Sequence, residues 1–582
     1  MSEPRVGLTR LWRYTEGRHG RLLLVLALAG ISAAAPVVGW HIVGDAIDNG
    51  IRAEDESRLM RDVVAYVTVG VVAWALGTAT WLLLAGVGQR MVLDLRRHLF
   101  EHLTSLSLRY FSEQKAGWII ARLTSDVDAL SDVLNQGLTT VVVNSLTLVA
   151  AIGGLFLLDW RLGLVALLVL PPGLLITRWF QRRSHAAFTD VRTRIAAVTA
   201  QLAESVAGMA VVQAFNQERT FQREFEGLNE ANRLSNTRAQ KLSSIFFPAI
   251  ELLGVLAQVA VIFAGAQMIE GDALEIGTLI AAVGMLSLVF QPLQELSELY
   301  GQVQAASAAM GKISTVLDAE RDILDRPGAR ELGRVDGRIE LDRVVFAYGR
   351  EPVIHGLELE IPAGGCIALV GESGGGKSTT AKLVARFYDP ASGAVRVDGT
   401  DLRDVELRSY RRQLGVVLQD PFLFSGTIAD NIRFGRPEAT DEEVVAAARA
   451  IGVDRVAARF EAGLEHVVRE GGAGLSAGER QLISIARALV ADPRILILDE
   501  ATSNIDRPTE ILIEEAFDTL LRGRTSIIIA HRLTTVRRAD EILVLERGRI
   551  TQRGSYDELM EADGPFRRLA TTLHGAAVRN AA

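Results

Sequence analysis

Apolar positions fall along this chain in two regimes. Up to about residue 300 they come in six long, mostly apolar runs, Leu22–Val43, Val63–Val87, Leu138–Leu158, Leu162–Phe180, Ile245–Ile269 and Ile276–Leu293. A bilayer core of about 30 Å needs about 20 such residues as helix, so each run predicts a membrane span. Beyond residue 300 no run of that length occurs. Short apolar stretches take over, such as Cys366–Val370 and Ile495–Leu498, each leading into a polar or glycine-rich turn, which predicts strands of an α/β domain.

The connections between the runs alternate in length. Those after the first, third and fifth are short, and those after the second and fourth are about 50 and 64 residues. The long ones carry Arg90, Arg96, Arg97, Arg109, Lys115, Arg122, Arg182, Arg183, Arg192 and Arg194, which by the positive-inside rule places them and both termini in the cytoplasm. The short ones hold Glu54, Asp55, Glu56, Asp159, Glu270 and Asp272, although Arg52, Arg58, Arg61 and Arg161 weaken the contrast. Both long connections read as helices that continue the spans beyond the membrane. Two small-residue turns, Ala116–Leu123 with Asp126 and Glu204–Phe215, are expected to dock onto the following domain. Leu8, Leu11 and Trp12 predict an amphipathic elbow before the first span.

Composition agrees with this division. Of 582 residues 49% are apolar, and mean hydropathy is +0.22, high for a water-soluble enzyme. The 62 basic and 70 acidic residues leave a net charge of −8 with no long basic block, which argues against nucleic acid as a partner. The single cysteine, Cys366, cannot form an intrachain disulfide and reads as a small buried residue. The first run has no small-residue cleavage pattern, so it is expected to be a retained span rather than a signal peptide.

The chemistry lies in the second regime. Gly371-Glu372-Ser373-Gly374-Gly375-Gly376-Lys377-Ser378, followed by Thr379, fits the phosphate-binding P-loop and sits between a predicted strand and a predicted helix. Glycines let backbone N–H groups wrap phosphate oxygens, and the helix N-terminus adds partial positive charge. Lys377 supplies a point charge and the Ser378 hydroxyl reaches toward Mg²⁺. Asp499 and Glu500 end the apolar strand Ile495–Leu498, 122 residues after Lys377. Asp499 is the expected Mg²⁺ ligand, and Glu500 the carboxylate that orients or deprotonates water. The pair predicts ATP hydrolysis with ATP and Mg²⁺ as cofactors.

Between these motifs lies Leu475-Ser476-Ala477-Gly478-Glu479, which resembles the signature sequence of ATP-binding cassette (ABC) proteins. Nearly the whole chain resembles an ABC exporter half-transporter. That resemblance implies an all-α transmembrane domain of six helices with long cytoplasmic extensions, fused to an α/β P-loop nucleotide-binding domain. The expected division is a cytoplasmic elbow segment at 1–20, the membrane domain at 21–304, a linker at 305–336, the nucleotide-binding domain at 337–575 and a tail at 576–582. By the same resemblance Tyr348 is the adenine platform, Gln419 the Q-loop residue near Mg²⁺, His531 the switch histidine and Asp506 the D-loop aspartate. Glu500, His531 and Gln419 form the catalytic set, and Ser378, Gln419 and Asp499 the metal set. The signature is expected to complete the ATP site of a second half-transporter. The home is expected to be a bacterial cytoplasmic (inner) membrane.

Two departures bear on that partner. Ala477 replaces a glycine, and Glu479 replaces a glutamine, adding negative charge where a polyphosphate is expected. With Ser503-Asn504-Ile505-Asp506, these favour a heterodimer over a homodimer, both remaining open. In the spans, Glu251 near Pro248 is the acidic candidate on a substrate path. The expected cargo is hydrophobic or amphipathic, a drug or a lipid, moved outward. An importer of lipid or metal-carrier cargo and an ATP-gated channel stay as alternatives.

Overall fold

The computed structural model describes Arg10 and residues 19–499, 507–530 and 532–571. The expected elbow at Leu8, Leu11 and Trp12 and the tail at 576–582 lie outside the described residues. The chain forms two compact units. One runs to Ala319 without Leu106–Glu113, and the other begins at Glu320 and takes in Leu106–Glu113.

The first unit is all helical: α1 (His19–Asp45), α2 (Glu56–Thr104), the short α3 (Leu108–Glu113, which groups with the second unit), α4 (Ala116–Leu123), α5 (Ser125–Asp132), α6 (Leu138–Leu158), α7 (Trp160–Ala207), the short α8 (Met209–Ala214), α9 (Glu218–Glu270) and α10 (Ile276–Leu317). Among the described residues six helices are long and apolar enough to cross a membrane. The chain is a multi-pass membrane protein. At 49, 48 and 53 residues, α2, α7 and α9 are much longer than a span needs. With about 1.5 Å of rise per residue, each exceeds twice a 30 Å bilayer core. The long connections are therefore helix, as their sequence predicts. The second of them breaks at Gly208 and re-forms as α8, where the Glu204–Phe215 turn is expected.

The first connection is divided between the two units. Ala116–Leu123 belongs to the membrane unit, and it is Leu106–Glu113 that groups with the soluble unit. Within the membrane unit, Ala116–Leu123 carries buried charge. Arg122 pairs with Asp126, their side chains only 9% and 11% exposed, and Lys312 on α10 reaches Asp126 at 3.4 Å. The Trp118 ring covers the Arg122 guanidinium at 4.2 Å. A pair this desolvated is costly to break, so α4 and α5 stay against α10. In the soluble unit, Ser107 Oγ donates to Asp322 Oδ2 at 3.0 Å, and Arg109 lies 5.9 Å from the Tyr388 ring.

Small residues let the bundle close. A Cβ on Gly277 of α10 would lie 2.1 Å from the Gly44 carbonyl oxygen, and one on Gly284 would lie 2.2 Å from the Trp40 ring. Backbone approach of this kind is the usual means of helix association in lipid. The buried Asp48 carboxylate accepts from the backbone N–H groups of Gly277 at 2.7 Å and Thr278 at 3.0 Å. It thereby caps the first turn of α10 from the turn Ala46–Ile51 that follows α1, satisfying donors that would otherwise be orphaned.

The second unit carries a four-stranded sheet in the order β2-β1-β4-β5, from β1 (Ile339–Ala347), β2 (Pro352–Ile361), β4 (Ser392–Val397) and β5 (Thr400–Asp401). Its main sheet runs β12-β11-β3-β10-β9-β6, from β3 (Cys366–Val370), β6 (Leu414–Val417), β9 (Ile495–Asp499), β10 (Thr525–Ile529), β11 (Glu541–Glu546) and β12 (Arg549–Gly554). All neighbours there are parallel except β11–β12. Alternate residues serve two cores: Ile367 and Leu369 face one, Ala368 and Val370 the other. That is why these strands read as unbroken apolar runs.

The helix contact gives the first test. Gly277→Val forces a branched side chain into the Gly44 backbone and Asp48. It should destabilise the bundle by about 1–3 kcal/mol, the usual cost of overpacking, seen as a lower Tm of the purified protein in detergent. An unchanged Tm would show that the helices do not approach this closely.

Candidate nucleotide site

The P-loop leaves the carboxyl end of β3 and enters the helix Lys377–Val384. Gly371, Gly374 and Gly376 have φ of 142°, 82° and 102°, which side-chain-bearing residues rarely adopt. The space is equally restrictive, since a Cβ on Gly371 would lie 2.2 Å from the Leu545 carbonyl oxygen and one on Gly375 2.6 Å from it. The loop is thus pressed onto the end of β11, with Gly548 N–H donating to Gly375 O at 3.0 Å. Lys377 is buried, and its Nζ donates to the carbonyls of Gly371 at 2.8 Å and Glu372 at 2.9 Å, so the ammonium is held across the loop. Burial pulls the lysine pKa below its ordinary value, against the opposing pull of the Asp499 charge. Ser378 is exposed at the first turn of the helix.

Parallel pairing brings the remaining described groups to this end of the sheet. Leu369 pairs with Ile529, and Ile529 with Asp499, so Asp499 lies two strands from the residue that precedes the P-loop by two. Strands about 4.8 Å apart put these backbones about 10 Å from each other. Val417 of β6 pairs with Leu498 of β9, which brings Gln419, two residues past β6, beside the Asp499 strand end. This is the edge where ligands bind in open α/β sheets. Tyr348 follows β1, with its hydroxyl 3.2 Å from Thr379 Oγ1 and its ring edge-on to Phe346 and Tyr388 at 4.9 and 5.2 Å. It is 37% exposed, with Lys382 Nζ of the P-loop helix 5.9 Å from its ring centroid. Glu500, Asp506 and His531 lie outside the described residues.

In the signature turn, Ser476 caps the helix Ala477–Val490 in a reciprocal box: Glu479 N–H donates to Ser476 Oγ at 3.2 Å, and Ser476 N–H donates to Glu479 Oε2 at 2.7 Å. The other Glu479 oxygen is ion-paired with Arg459. The Glu479 carboxylate is therefore turned back into the turn and ion-paired there. Arg480 braces the same turn, donating to the Leu475 carbonyl at 2.7 Å.

Three further features were missed in the sequence. Leu418, Phe422, Phe424 and Phe434 form an exposed apolar patch beside Gln419, with Phe424 and Phe434 stacked at 4.6 Å; the run Phe422-Leu423-Phe424 was its signal. Glu295, just beyond the sixth apolar run, accepts from Asn144 Nδ2 at 2.7 Å and Gln291 Nε2 at 2.9 Å, joining α10 to α6. Glu251, by contrast, is exposed on α9. A cavity of about 600 Å³ in the membrane unit is lined by Phe180, Phe188 and Phe247 with Asp132, Gln181 and Arg192, and Glu251 is not among its lining residues.

Comparison with known proteins agrees with this anatomy. Residues 22–293 match the family model for the ABC transporter transmembrane region, and residues 354–503 match the one for ABC transporters. The chain is similar to the uncharacterized ABC transporter ATP-binding protein YknV of Bacillus subtilis (strain 168), 35% identical over 96% of this chain and 92% of that protein. It is also similar to the fatty acid ABC transporter ATP-binding/permease protein of Mycobacterium bovis (strain ATCC BAA-935 / AF2122/97), 38% identical over 91% of this chain and 83% of that one. Its fold matches the structure of a bacterial Atm1-family ABC exporter with ATP bound, with a TM-score of 0.80 and 29% identity over 97% of this chain and 98% of that chain.

Cys366 supplies a test of the strand that feeds the loop. Burial pushes its thiol up to about 12, with Asp540 adding to the shift. An unfolded thiol titrates near 8.5, and only the thiolate is nucleophilic. Thiol reagent should therefore label native protein slowly at neutral pH and react promptly after denaturation. Equal rates would contradict the burial of β3.

Proposed function

The chain belongs to the ABC transporter family, as a membrane region fused to a nucleotide-binding domain, and from that premise we propose that it is an exporter half-transporter that couples ATP hydrolysis to outward movement of a hydrophobic or amphipathic substrate, a drug or a lipid. The observation that carries this is the convergence of the P-loop, Asp499 and Gln419 at one end of the parallel sheet. Loop N–H groups and Lys377 hold the triphosphate, the partly exposed Tyr348 ring meets adenine, and Thr379 stands beside it. Glu500 orients the attacking water and His531 meets the γ-phosphate, with Asp506 in the D-loop. Ser378, Gln419 and Asp499 present a hydroxyl, an amide oxygen and a carboxylate, hard oxygen donors that fit Mg²⁺. When bound, the ion neutralises charge that develops on the phosphates.

Substrate recognition is assigned to the cavity with Phe180, Phe188 and Phe247. Its volume falls within the range of about 300–1,000 Å³ typical of small-molecule sites. Three aromatic rings beside Asp132, Gln181 and Arg192 suit a molecule with an apolar body and a polar end. Positive charge on the long connections supports a nucleotide domain facing the cytoplasm, in a bacterial inner membrane.

A second half-transporter is the proposed partner. Val206, Val211 and Phe215 of the Glu204–Phe215 turn are 64%, 62% and 71% exposed, an apolar tip that supports docking on a second chain. The Arg459 pair makes Glu479 weaker support than Ala477 and the Ser503–Asp506 sequence for a heterodimer over a homodimer. The mass and composition of the gently extracted complex decide between them.

Glu500→Gln should retain ATP binding while turnover falls by at least about a hundredfold, the scale of a lost general base. Unchanged hydrolysis would refute the role of Glu500. In inside-out vesicles ATP should drive substrate into the lumen; accumulation in right-side-out vesicles supplied internally with ATP would reverse the assigned direction.

A further inference from the structure

Glu479 is a buried carboxylate in a turn that, on the reading above, meets the triphosphate held by a second subunit. Its side chain is 7% exposed, and one oxygen is occupied by the Ser476 N–H. The N-terminus of the 14-residue helix Ala477–Val490 lies at the same turn and is favourable to a carboxylate. Arg459 comes from outside the turn, two residues past the short helix Val453–Ala457, and places Nη1 on the other Glu479 oxygen. Arg459 itself is 64% exposed, so one buried charge is compensated by a cation that remains largely in solvent. The next residue, Phe460, is stacked on His466 at 3.7 Å and 11°, which fixes the backbone that presents the arginine.

We propose that Arg459 is a positioning residue for ATP at the signature turn: it cancels the Glu479 charge and holds the carboxylate in the box that orients Ser476. This rests on the ABC exporter reading. With the pair intact, the turn adds no net charge to the approaching phosphates, and the helix N-terminus remains attractive to them. Without Arg459, the Glu479 charge is left uncompensated toward the phosphates. At an effective dielectric of about 20, one unit charge repelled by another across about 10 Å weakens binding by about tenfold.

Equilibrium binding of radiolabelled ATP to the full-length transporter, purified with its partner subunit in the Glu500→Gln background, tests this and counts both sites. Arg459→Ala should raise the half-saturating ATP concentration about tenfold at sites carrying the altered turn, with stoichiometry unchanged, whereas Arg459→Lys should stay within about twofold of the parent. The double variant Arg459→Ala/Glu479→Gln should return to the affinity of Glu479→Gln alone, because the charge that needed cancelling is gone. An unshifted affinity in Arg459→Ala, or a defect that persists undiminished in the double variant, would overturn the proposal. A merely structural loss would lower stoichiometry and would not be rescued. Lys377→Ala is the separate control: undiminished binding at this chain's own P-loop would overturn the ABC reading and not the Arg459 assignment alone.

Discussion

Parallel pairing of β3, β10 and β9 is the constraint on which the functional anatomy depends. Lys377 and Asp499 are 122 residues apart in sequence, and nothing local brings them together. The registers Leu369–Ile529 and Ile529–Asp499 do, because parallel strands end at the same edge of a sheet. Those strands can pair centrally only because both faces are buried, by Ile367 and Leu369 on one side and Ala368 and Val370 on the other. Packing on the sheet faces and chemistry at its edge are therefore one property. The close fit of Gly371 and Gly375 against the Leu545 carbonyl extends it, since β11 is the floor on which the phosphate loop rests.

The membrane unit obeys a different economy. Water does not drive its helices together, so backbone approach and a few satisfied polar groups do that work. Gly277 and Gly284 admit α1 to α10, while Asp48, just past α1, caps α10. Farther along α10, Glu295 takes an amide donor from Asn144 on α6, and Lys312 meets the Arg122–Asp126 pair. One helix thus collects polar contacts along most of its length, and each contact reaches a different neighbour. A helix tied in this way is suited to move as part of a body.

Charge compensation appears twice, with different results. The Arg122–Asp126 pair is desolvated on both sides. In the signature turn only the carboxylate is buried, and its arginine partner is largely exposed. The first arrangement resists rearrangement, because either charge left alone would be buried without a partner. The second leaves the local charge of the turn dependent on one accessible side chain.

Six spans, their long helical extensions, the P-loop strand and helix, and the Asp499 strand were legible in the sequence because each is a local pattern: apolar length, helical continuity, glycine spacing, or a strand ending in carboxylates. The grouping of Leu106–Glu113 with the second unit was not legible, nor was the contact of Asp126 with Lys312, 186 residues beyond it. Nor was the compensation of Glu479, whose partner is 20 residues away on another element. Glu251 drew attention as a carboxylate in an apolar run, yet it is exposed on its helix, while Glu295, outside the run as bounded, is the one held between helices. The sequence by itself determined which segments enter the membrane and which bind phosphate, since hydrophobic length and backbone conformation are properties of consecutive residues. Tertiary structure alone decided which charges are neutralised and which helix faces meet, since burial and pairing depend on residues the chain brings together only by folding.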